Sequence, residues 1–208
     1  MTTLAPGTAA AFFAVSVLLA LSPGPDNVFV LMQSAMRGRA AGLLVVLGLC
    51  SGLLVHTAAV AFGLATLFAA STLAFTALKL AGALYLIYLA WQAWRAPATP
   101  LAAQPDIDAG QLYRRGIVMN VTNPKVSIFF LAFLPQFVAA DRGSVALQVL
   151  WLGFVFMLAT LLVFGAIALT AGTLGQALAR SARAQLLLNR AAALVFVALA
   201  LRLATVQR

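Results

Sequence analysis

The chain of 208 residues is 64% hydrophobic and only 8% charged, and its mean hydropathy is +1.06. Soluble domains carry about a quarter charged residues, so this composition excludes a soluble protein and indicates an integral membrane protein. The formal charge of +9 comes from 13 basic and four acidic residues. Because no basic stretch is interleaved with aromatic residues, we do not expect a nucleic-acid partner.

The chain has one cysteine, Cys50, and one histidine, His56. A single thiol excludes an intrachain disulfide, and thiolate or imidazole metal sites need several such ligands together. We therefore expect no metal and no cofactor. No Lys or Arg precedes Arg37. Because a cleavable signal peptide starts with a basic segment, we expect the first hydrophobic run to stay in the membrane.

Hydrophobic runs predict the secondary structure. A membrane-spanning helix needs about 20 apolar residues at a rise of about 1.5 Å per residue. The runs in this chain are long and continuous, without the alternation of a transmembrane strand. We predict an all-α integral membrane protein with six transmembrane helices, of which the first and the fourth are broken. The six predicted spans are residues 9–36, 41–67, 71–94, 116–140, 145–172 and 185–205.

The first span is interrupted by LSPGPDNVFV. Proline removes a helical hydrogen bond and clashes with the preceding turn, so two prolines flanking a glycine predict a broken helix. Backbone groups freed at membrane depth are tolerated only where protein or water satisfies them. A charged side chain at the bilayer centre costs about 2.5–3.5 kcal/mol, so the aspartate indicates a functional site. The candidates are Pro23, Gly24, Pro25, Asp26 and Asn27.

The second and third spans carry further polar or small residues. Gly48 and Gly52 form a GxxxG pattern that lets helix backbones approach closely in lipid, and we interpret both as packing glycines. His56, in the outer half of the second span, is either a satisfied buried histidine or a proton relay. Lys79 in the third span, about 12 Å from the outer edge at 1.5 Å per residue, either extends to the interface or lines the transport path.

The longest hydrophilic segment, RAPATPLAAQPDIDAGQLYRR, separates the third and fourth spans. Its prolines and short side chains are typical of a linker. It divides the chain into a first half at 1–95, a cytoplasmic linker at 96–113 and a second half at 114–208. Three spans in each half mean that the halves enter the membrane from opposite sides. Such inverted three-helix repeats recur in transporters.

The fourth span has its own break in NVTNPKVS. Counted from Arg37 and Arg115, Asp26 and Lys125 both lie about 15 Å from the cytoplasmic edge, which is the midplane of a core about 30 Å thick. A carboxylate with freed carbonyls suits an ammonium group or a proton, whereas a lysine and a helix N-terminus suit a carboxylate. The breaks together predict a zwitterion site, and the alternative is a purely structural ion pair. The candidates here are Asn120, Asn123, Pro124 and Lys125.

Basic residues flanking the spans predict the orientation, because they concentrate on the cytoplasmic side. With both termini outside, eight basic residues lie in the cytoplasmic flanks and three lie outside. The opposite topology reverses that ratio, so we predict both termini outside. The cytoplasmic group is Arg37, Arg39, Arg95, Arg114, Arg115, Arg180, Arg183 and Arg190. The outer group is Arg142, Arg202 and Arg208.

Three segments carry a family resemblance, and they follow one another as LSPGPDNVFVLMQSAMRGRAAGLLVVLG, LKLAGALYLIYLAWQAWR and RRGIVMNVTNPKVSIFFLAFLPQFV. The first contains a PGPD motif before a basic loop and a glycine-rich span. The second contains a Lys-x-x-Gly-x-x-Tyr-Leu pattern, and the third an Asn-Pro-Lys motif. Together they resemble the LysE/RhtB family of bacterial amino-acid exporters over nearly the whole chain. One departure is Tyr113, where phenylalanine is more usual.

The resemblance implies a multi-pass transporter of the bacterial inner membrane. It would export amino acids or related small metabolites from the cytoplasm as an antiporter driven by the proton gradient, with substrate, protons and the lipid bilayer as its partners. Tyr85 of the second motif joins His56 and Lys79 as a path-lining candidate. Because Asp26 is the only acidic residue within the predicted spans, we expect neutral zwitterionic substrates.

Other classes of protein stay open. A cation or heavy-metal exporter of related fold would need clustered ligands, and a non-transporting membrane scaffold would move no solute. A membrane enzyme would need paired acids or a histidine cluster, which the sequence lacks, so no catalytic residue is expected. Hydrophobic helix faces and glycine patches would permit a homodimer.

Overall fold

The computed structural model describes residues 6–22, 24–70, 72–95, 108–171 and 181–205. Pro23 and most of the predicted linker lie outside these ranges. Every regular element within them is a helix, which confirms the predicted all-α fold for this part of the chain. The α-helices are α1 (Pro6–Leu21), α2 (Pro25–Arg37), α3 (Arg39–Ala70), α4 (Thr72–Arg95), α5 (Ala109–Val121), α6 (Pro124–Ile128), α7 (Val145–Thr170) and α8 (Ala182–Thr205).

The described helices contain two to four membrane spans by length and composition. Helices α3 and α7 are each long and apolar enough to cross a membrane alone. Two bent pairs each count as one further span: α1 with α2, bent by 65°, and α5 with the helical segment that follows it, bent by 47°. Helices α4 and α8 carry shorter apolar stretches, at Ala83–Gln92 and Asn189–Ala198.

The first break lies where the prolines predict it. Helix α1 ends at Leu21, and Gly24 is extended, with φ −167° and ψ 176°. Pro25 is the first residue of α2, a position where its missing N–H leaves no helical hydrogen bond unmade. Gly38, with φ of +87°, ends α2 before α3 starts, because glycine adopts positive φ without steric cost.

The second break is built by an asparagine cap. The side-chain oxygen of Asn123 accepts a hydrogen bond from the backbone N–H of Lys125 at 3.0 Å. This is the usual role of asparagine at a helix N-terminus. Pro124 follows as the first residue of α6. The sequence therefore starts a new helix here rather than bending an existing one.

The fourth predicted span, residues 116–140, differs from a regular helix at both ends. Helix α5 begins at Ala109, inside the predicted linker, because the side chain of Asp108 accepts the N–H of Gln111 at 2.8 Å and caps it. After α6 the helix loosens into a π-helical turn at Phe129–Phe133, followed by a 3-10 turn at Leu134–Phe137. The 3-10 turn contains a proline, which cannot continue regular helical hydrogen bonding.

Helices α3 and α5 cross where each of them carries a glycine. Helix α3 packs against both α5 and α7, and α4 packs against α8. A Cβ added to Gly48 would collide with the carbonyl oxygen of Tyr113 and lie 3.0 Å from the Cα of Gly116. The predicted packing role of Gly48 is therefore confirmed, because only glycine on both helices allows this approach.

An aromatic cluster fills the interior beside the second break. The ring of Phe12 on α1 lies 5.1 Å from that of Phe137 and 5.7 Å from that of Phe129, measured between centroids. Phe156 on α7 lies 5.1 Å from Phe129 and 5.2 Å from Phe130. These separations are those of favourable aromatic pairs. The π-helical turn is thus held between the first and fifth predicted spans.

Candidate functional site

The ammonium of Lys125 connects the two breaks. Its Nζ donates to the backbone oxygen of Ser22 at 3.1 Å and to that of Leu19 at 3.3 Å. In an uninterrupted helix the N–H of residue 23 would serve the Leu19 carbonyl, but that residue is a proline. The lysine of the second half therefore caps a carbonyl that the break in the first half leaves without its donor. A cation is also favourable at the negative end of helix α1.

The carboxylate of Asp26 is buried and only half satisfied. Its Oδ2 accepts a hydrogen bond from the side-chain amide of Asn123 at 2.8 Å, whereas its Oδ1 is buried and has no hydrogen-bond partner among the described residues. The two hydrogen bonds of the Lys125 ammonium go to backbone carbonyls. Carboxylate and ammonium thus belong to one site without a direct hydrogen bond between them, and Asn123 bonds to the carboxylate of Asp26 and to the backbone N–H of Lys125.

Asn120 contributes a second unpaired oxygen. Its side chain is buried, and its Oδ1 has no hydrogen-bond partner. The side chain packs onto the backbone of α3 at Gly52, where an added Cβ would lie 2.7 Å from that oxygen. An unpaired buried acceptor costs about 1–3 kcal/mol. An additional hydrogen-bond donor beside either oxygen would remove that cost.

These groups line one small cavity of about 20 Å³, which is room for about one water molecule. Its polar side chains come from α2, α5, α6 and α7, and apolar side chains of α1, α3, α6 and α7 form the remainder. The lining residues are Leu19, Ala20, Asp26, Leu49, Asn120, Lys125, Val126, Phe156, Thr160 and Phe164.

A model of the family described as LysE type translocator matches residues 17–207 of this chain. The chain belongs to the LysE type translocator family. The translocator is 40% identical over 145 residues to a homoserine/homoserine lactone efflux protein of Salmonella typhimurium, covering 69% of this chain and 70% of the relative.

Two further relatives have the following similarities. An uncharacterized membrane protein of Pseudomonas aeruginosa is 35% identical over 153 residues, covering 70% of this chain and 71% of the relative. A leucine efflux protein of Salmonella choleraesuis is 30% identical over 126 residues, 59% of each chain. No solved structure matches the translocator. The family confirms the resemblance drawn from the three motifs and identifies a membrane transporter, not an enzyme.

The remaining predicted residues around the first break have separate places in the translocator. Gly24 borders the lysine, because a Cβ added there would lie 3.2 Å from the Nζ of Lys125. Asn27 donates from its side-chain amide to the carbonyl of Ala20 at 2.7 Å, so it caps the end of α1. Pro25 and Pro124 start α2 and α6.

The three path-lining candidates do not share one place. His56 lies on α3, with its Nε2 3.1 Å from the backbone oxygen of Asn120. Tyr85 on α4 is partly buried and packs against Tyr88, with 5.8 Å between ring centroids and the rings tilted by 42°, and it is not among the cavity-lining residues. Lys79 belongs to α4, but its side chain lies outside the described part of the structure.

Sequence reasoning missed the wall that α7 contributes. Phe156, Thr160 and Phe164 are spaced four residues apart, which places them on one face of a helix, and all three line the cavity. The signal was available in Thr160, a hydroxyl inside a strongly apolar span. Tyr113, the one departure from the family motif, lies within hydrogen-bonding distance of Ser51, with 2.8 Å between the two hydroxyl oxygens.

Within the part of the chain that the structure describes, no group of three or more His, Cys, Asp or Glu residues comes together. The polar side chains that line the cavity are instead one carboxylate, one amide, one ammonium and one hydroxyl, those of Asp26, Asn120, Lys125 and Thr160. Such a set presents both signs of charge to a small bound molecule.

Proposed function

We propose that the translocator exports neutral amino acids or related small zwitterionic metabolites from the cytoplasm, driven by the proton gradient. The observation that carries the proposal is the unpaired Oδ1 of Asp26 in a small cavity that Lys125 also lines. The relatives named as homoserine/homoserine lactone and leucine efflux proteins support the same class of substrate.

The substrate ammonium would bind between two oxygens. Asp26 Oδ1 and Asn120 Oδ1 are both buried and without hydrogen-bond partners, and both residues line the cavity. An ammonium group has several N–H donors and a positive charge, so it can satisfy both acceptors at once. Hydrogen bonds to a charged group are about twice as strong as neutral ones.

The substrate carboxylate would bind at Lys125. The ammonium of this lysine is occupied by the carbonyls of Leu19 and Ser22, which are neutral partners. A substrate carboxylate would be the stronger partner because the hydrogen bond would then join two charged groups. The N-terminal end of α2, which also favours anions, starts beside this lysine at Gly24 and Pro25.

Proton coupling would use the same carboxylate. Asp26 is the only acidic residue in the predicted spans, and it can hold either a proton or a substrate ammonium in its unpaired position. Binding of one would displace the other. Exchange across the membrane would then be antiport, with protons entering as the amino acid leaves.

The architecture we propose is six transmembrane helices in two inverted halves, with both termini outside the inner membrane. Helix contacts support the inverted halves. Helices α3 and α7 occupy the same position in the two halves, as do α1 and α5, and the contact of α3 with α5 is matched by the contact of α7 with α1.

The orientation is supported by basic and aromatic residues at one end of the molecule. Arg95 lies over Trp91 and Arg190 over Trp94, with 4.6 and 5.5 Å from guanidinium carbon to ring centroid. This basic and aromatic end suits the cytoplasmic interface. The exposed apolar faces also allow a homodimer.

The test is export from proteoliposomes loaded with a panel of amino acids, with and without a proton gradient. Neutral amino acids should move and the gradient should accelerate them. Asp26→Asn should abolish gradient-driven export with unchanged membrane insertion, whereas Asp141→Asn, an exposed residue on a turn, should behave as the wild type. Full gradient-driven export by Asp26→Asn would refute the role of the carboxylate.

Divalent metal cations belong in the same panel, because a cation exporter is the alternative. Movement of a metal cation but of no amino acid would favour that alternative. Movement of no solute at all would favour the scaffold.

A further inference from the structure

The carbonyl of Asn120 loses its helical donor at the second break. In a continuing helix it would accept the N–H of residue 124, and that residue is Pro124, which has none. A backbone carbonyl without a partner inside a membrane costs several kcal/mol. The N–H of Asn123 reaches this oxygen at 3.1 Å, which satisfies one of its two lone pairs.

His56 supplies the second donor. Its Nε2 lies 3.1 Å from the same oxygen. A carbonyl oxygen can only accept a hydrogen bond, so Nε2 carries the hydrogen, in the neutral and in the protonated ring alike. The imidazole ring also packs at 5.6 Å, between centroids, from the ring of Phe130 in the π-helical turn.

One face of α3 thus contacts both the side chain and the backbone oxygen of Asn120. Gly52 lies four residues before His56, which places the two on the same helix face. Gly52 leaves the space that the Asn120 side chain occupies, and His56 binds its backbone oxygen. Asn120, held in this way, lines the cavity, and its Oδ1 has no hydrogen-bond partner among the described residues.

We infer that His56 is a positioning residue of the substrate site, which holds the interrupted end of α5 so that the Asn120 side chain faces the substrate ammonium. The effect on transport that this inference predicts rests on the proposed function. It makes His56 a hydrogen-bond donor to the backbone of α5 and not a proton relay. His56 itself is not among the residues that line the cavity.

Two substitutions separate a donor role from a relay role. Glutamine keeps an N–H donor at a similar reach, whereas leucine has none. His56→Leu should raise KM about tenfold, the ratio that corresponds to one hydrogen bond of ordinary strength, with little change in maximal rate. His56→Gln should restore KM to within about threefold of the wild type. Val55→Leu, on the lipid-exposed side of the same helix, is the matched control and should leave KM unchanged.

A second measurement needs no substrate. Hydrogen–deuterium exchange of the backbone amides at residues 117–126, in the purified protein in detergent, should be faster in His56→Leu and unchanged in His56→Gln. If His56→Gln is as impaired as His56→Leu in both measurements, the donor role is overturned. If the wild type moves no amino acid, the proposed function fails, while the exchange measurement still decides whether His56 holds this segment.

Discussion

The carboxylate of Asp26 combines burial with an incomplete set of hydrogen bonds. Only Asn123 among the described residues donates to it, and its second oxygen has no partner there. An unsatisfied buried acceptor destabilises a folded protein by about 1–3 kcal/mol. In the function that we propose, a substrate ammonium or a proton would bind this oxygen and remove that cost.

Gly24 offers a direct test of the lysine position. Its extended backbone suits any residue, but an added Cβ would lie 3.2 Å from the Nζ of Lys125. Gly24→Ala should therefore fold normally and displace the ammonium. We expect KM for the amino acid to rise about threefold to tenfold, the range of one weakened hydrogen bond, while the Tm in detergent stays close to that of the wild type.

The control for Gly24→Ala is Gly7→Ala, because, apart from its own helical backbone, no atom of the described part of the chain lies within 4 Å of a Cβ added at Gly7. This variant should keep both KM and Tm. An unchanged KM in Gly24→Ala, measured in proteoliposomes at equal protein content, would contradict the placement of Lys125 at the substrate site.

At the level of the helices, each proline break leaves carbonyls that other elements must satisfy. Lys125 of the second half donates a hydrogen bond to the carbonyl of Leu19, and Asn27 donates one to the carbonyl of Ala20. His56 of the first half serves that of Asn120. Each break is therefore held in part by the opposite half of the molecule. A movement that separates the halves must exchange these donors, which gives substrate binding a means to change the conformation.

The crossing of α3 and α5 sets how closely the halves approach. Gly48→Ala should push the helices apart, because the added Cβ would meet the carbonyl of Tyr113 and the backbone of Gly116. Overpacking of this kind destabilises by about 1–3 kcal/mol. The free energy of unfolding in mixed detergent micelles should fall by that amount.

Gly63→Ala on the same helix is the matched variant, because, apart from its own helical backbone, no atom of the described residues lies within 4 Å of the added Cβ. Alanine is the better helix former by about 0.5–1 kcal/mol, so this variant should equal or exceed the wild type in stability. Equal destabilisation by both substitutions would mean that close packing at the crossing is not what Gly48 provides.

The breaks and the Asp26 and Lys125 pairing were predictable, since proline, glycine and charge in a hydrophobic run act locally and depth follows from counting residues. The direct ion pair was only one of the alternatives, and the structure instead joins the two through Asn123. The wall from α7 was harder to predict, because that helix is apolar on almost all sides and only the hydroxyl of Thr160 marks the face that meets the cavity.

The π-helical turn at Phe129–Phe133 was also beyond sequence reasoning. It depends on how the phenylalanines fit against Phe12 and Phe156 from distant parts of the chain. Such packing overrides local helix propensity. Likewise, the role of His56 became apparent only when α3 was placed beside the end of α5.

For the whole molecule, the cavity lies between the halves, and its wall at Phe156 is shared with the aromatic cluster. Transporters built on inverted repeats bind substrate between their halves and expose the site to each side in turn. In the transport cycle that we propose, the aromatic cluster would have to separate for substrate to pass on that side, while Asp26 and Lys125 keep hold of opposite ends of the amino acid.

The most direct test of that central claim is competition by two analogues of the transported amino acid. The competition is measured as binding of the labelled amino acid to the purified protein in detergent, because Asp26→Asn is expected to lose gradient-driven export. One analogue lacks the ammonium group and the other lacks the carboxylate. In the wild type, neither should compete well. The Asp26→Asn variant should no longer prefer the amino acid over the analogue without ammonium. The Lys125→Met variant should no longer prefer the amino acid over the analogue without carboxylate. Unchanged preferences in both variants would contradict a site that binds the two ends of a zwitterion.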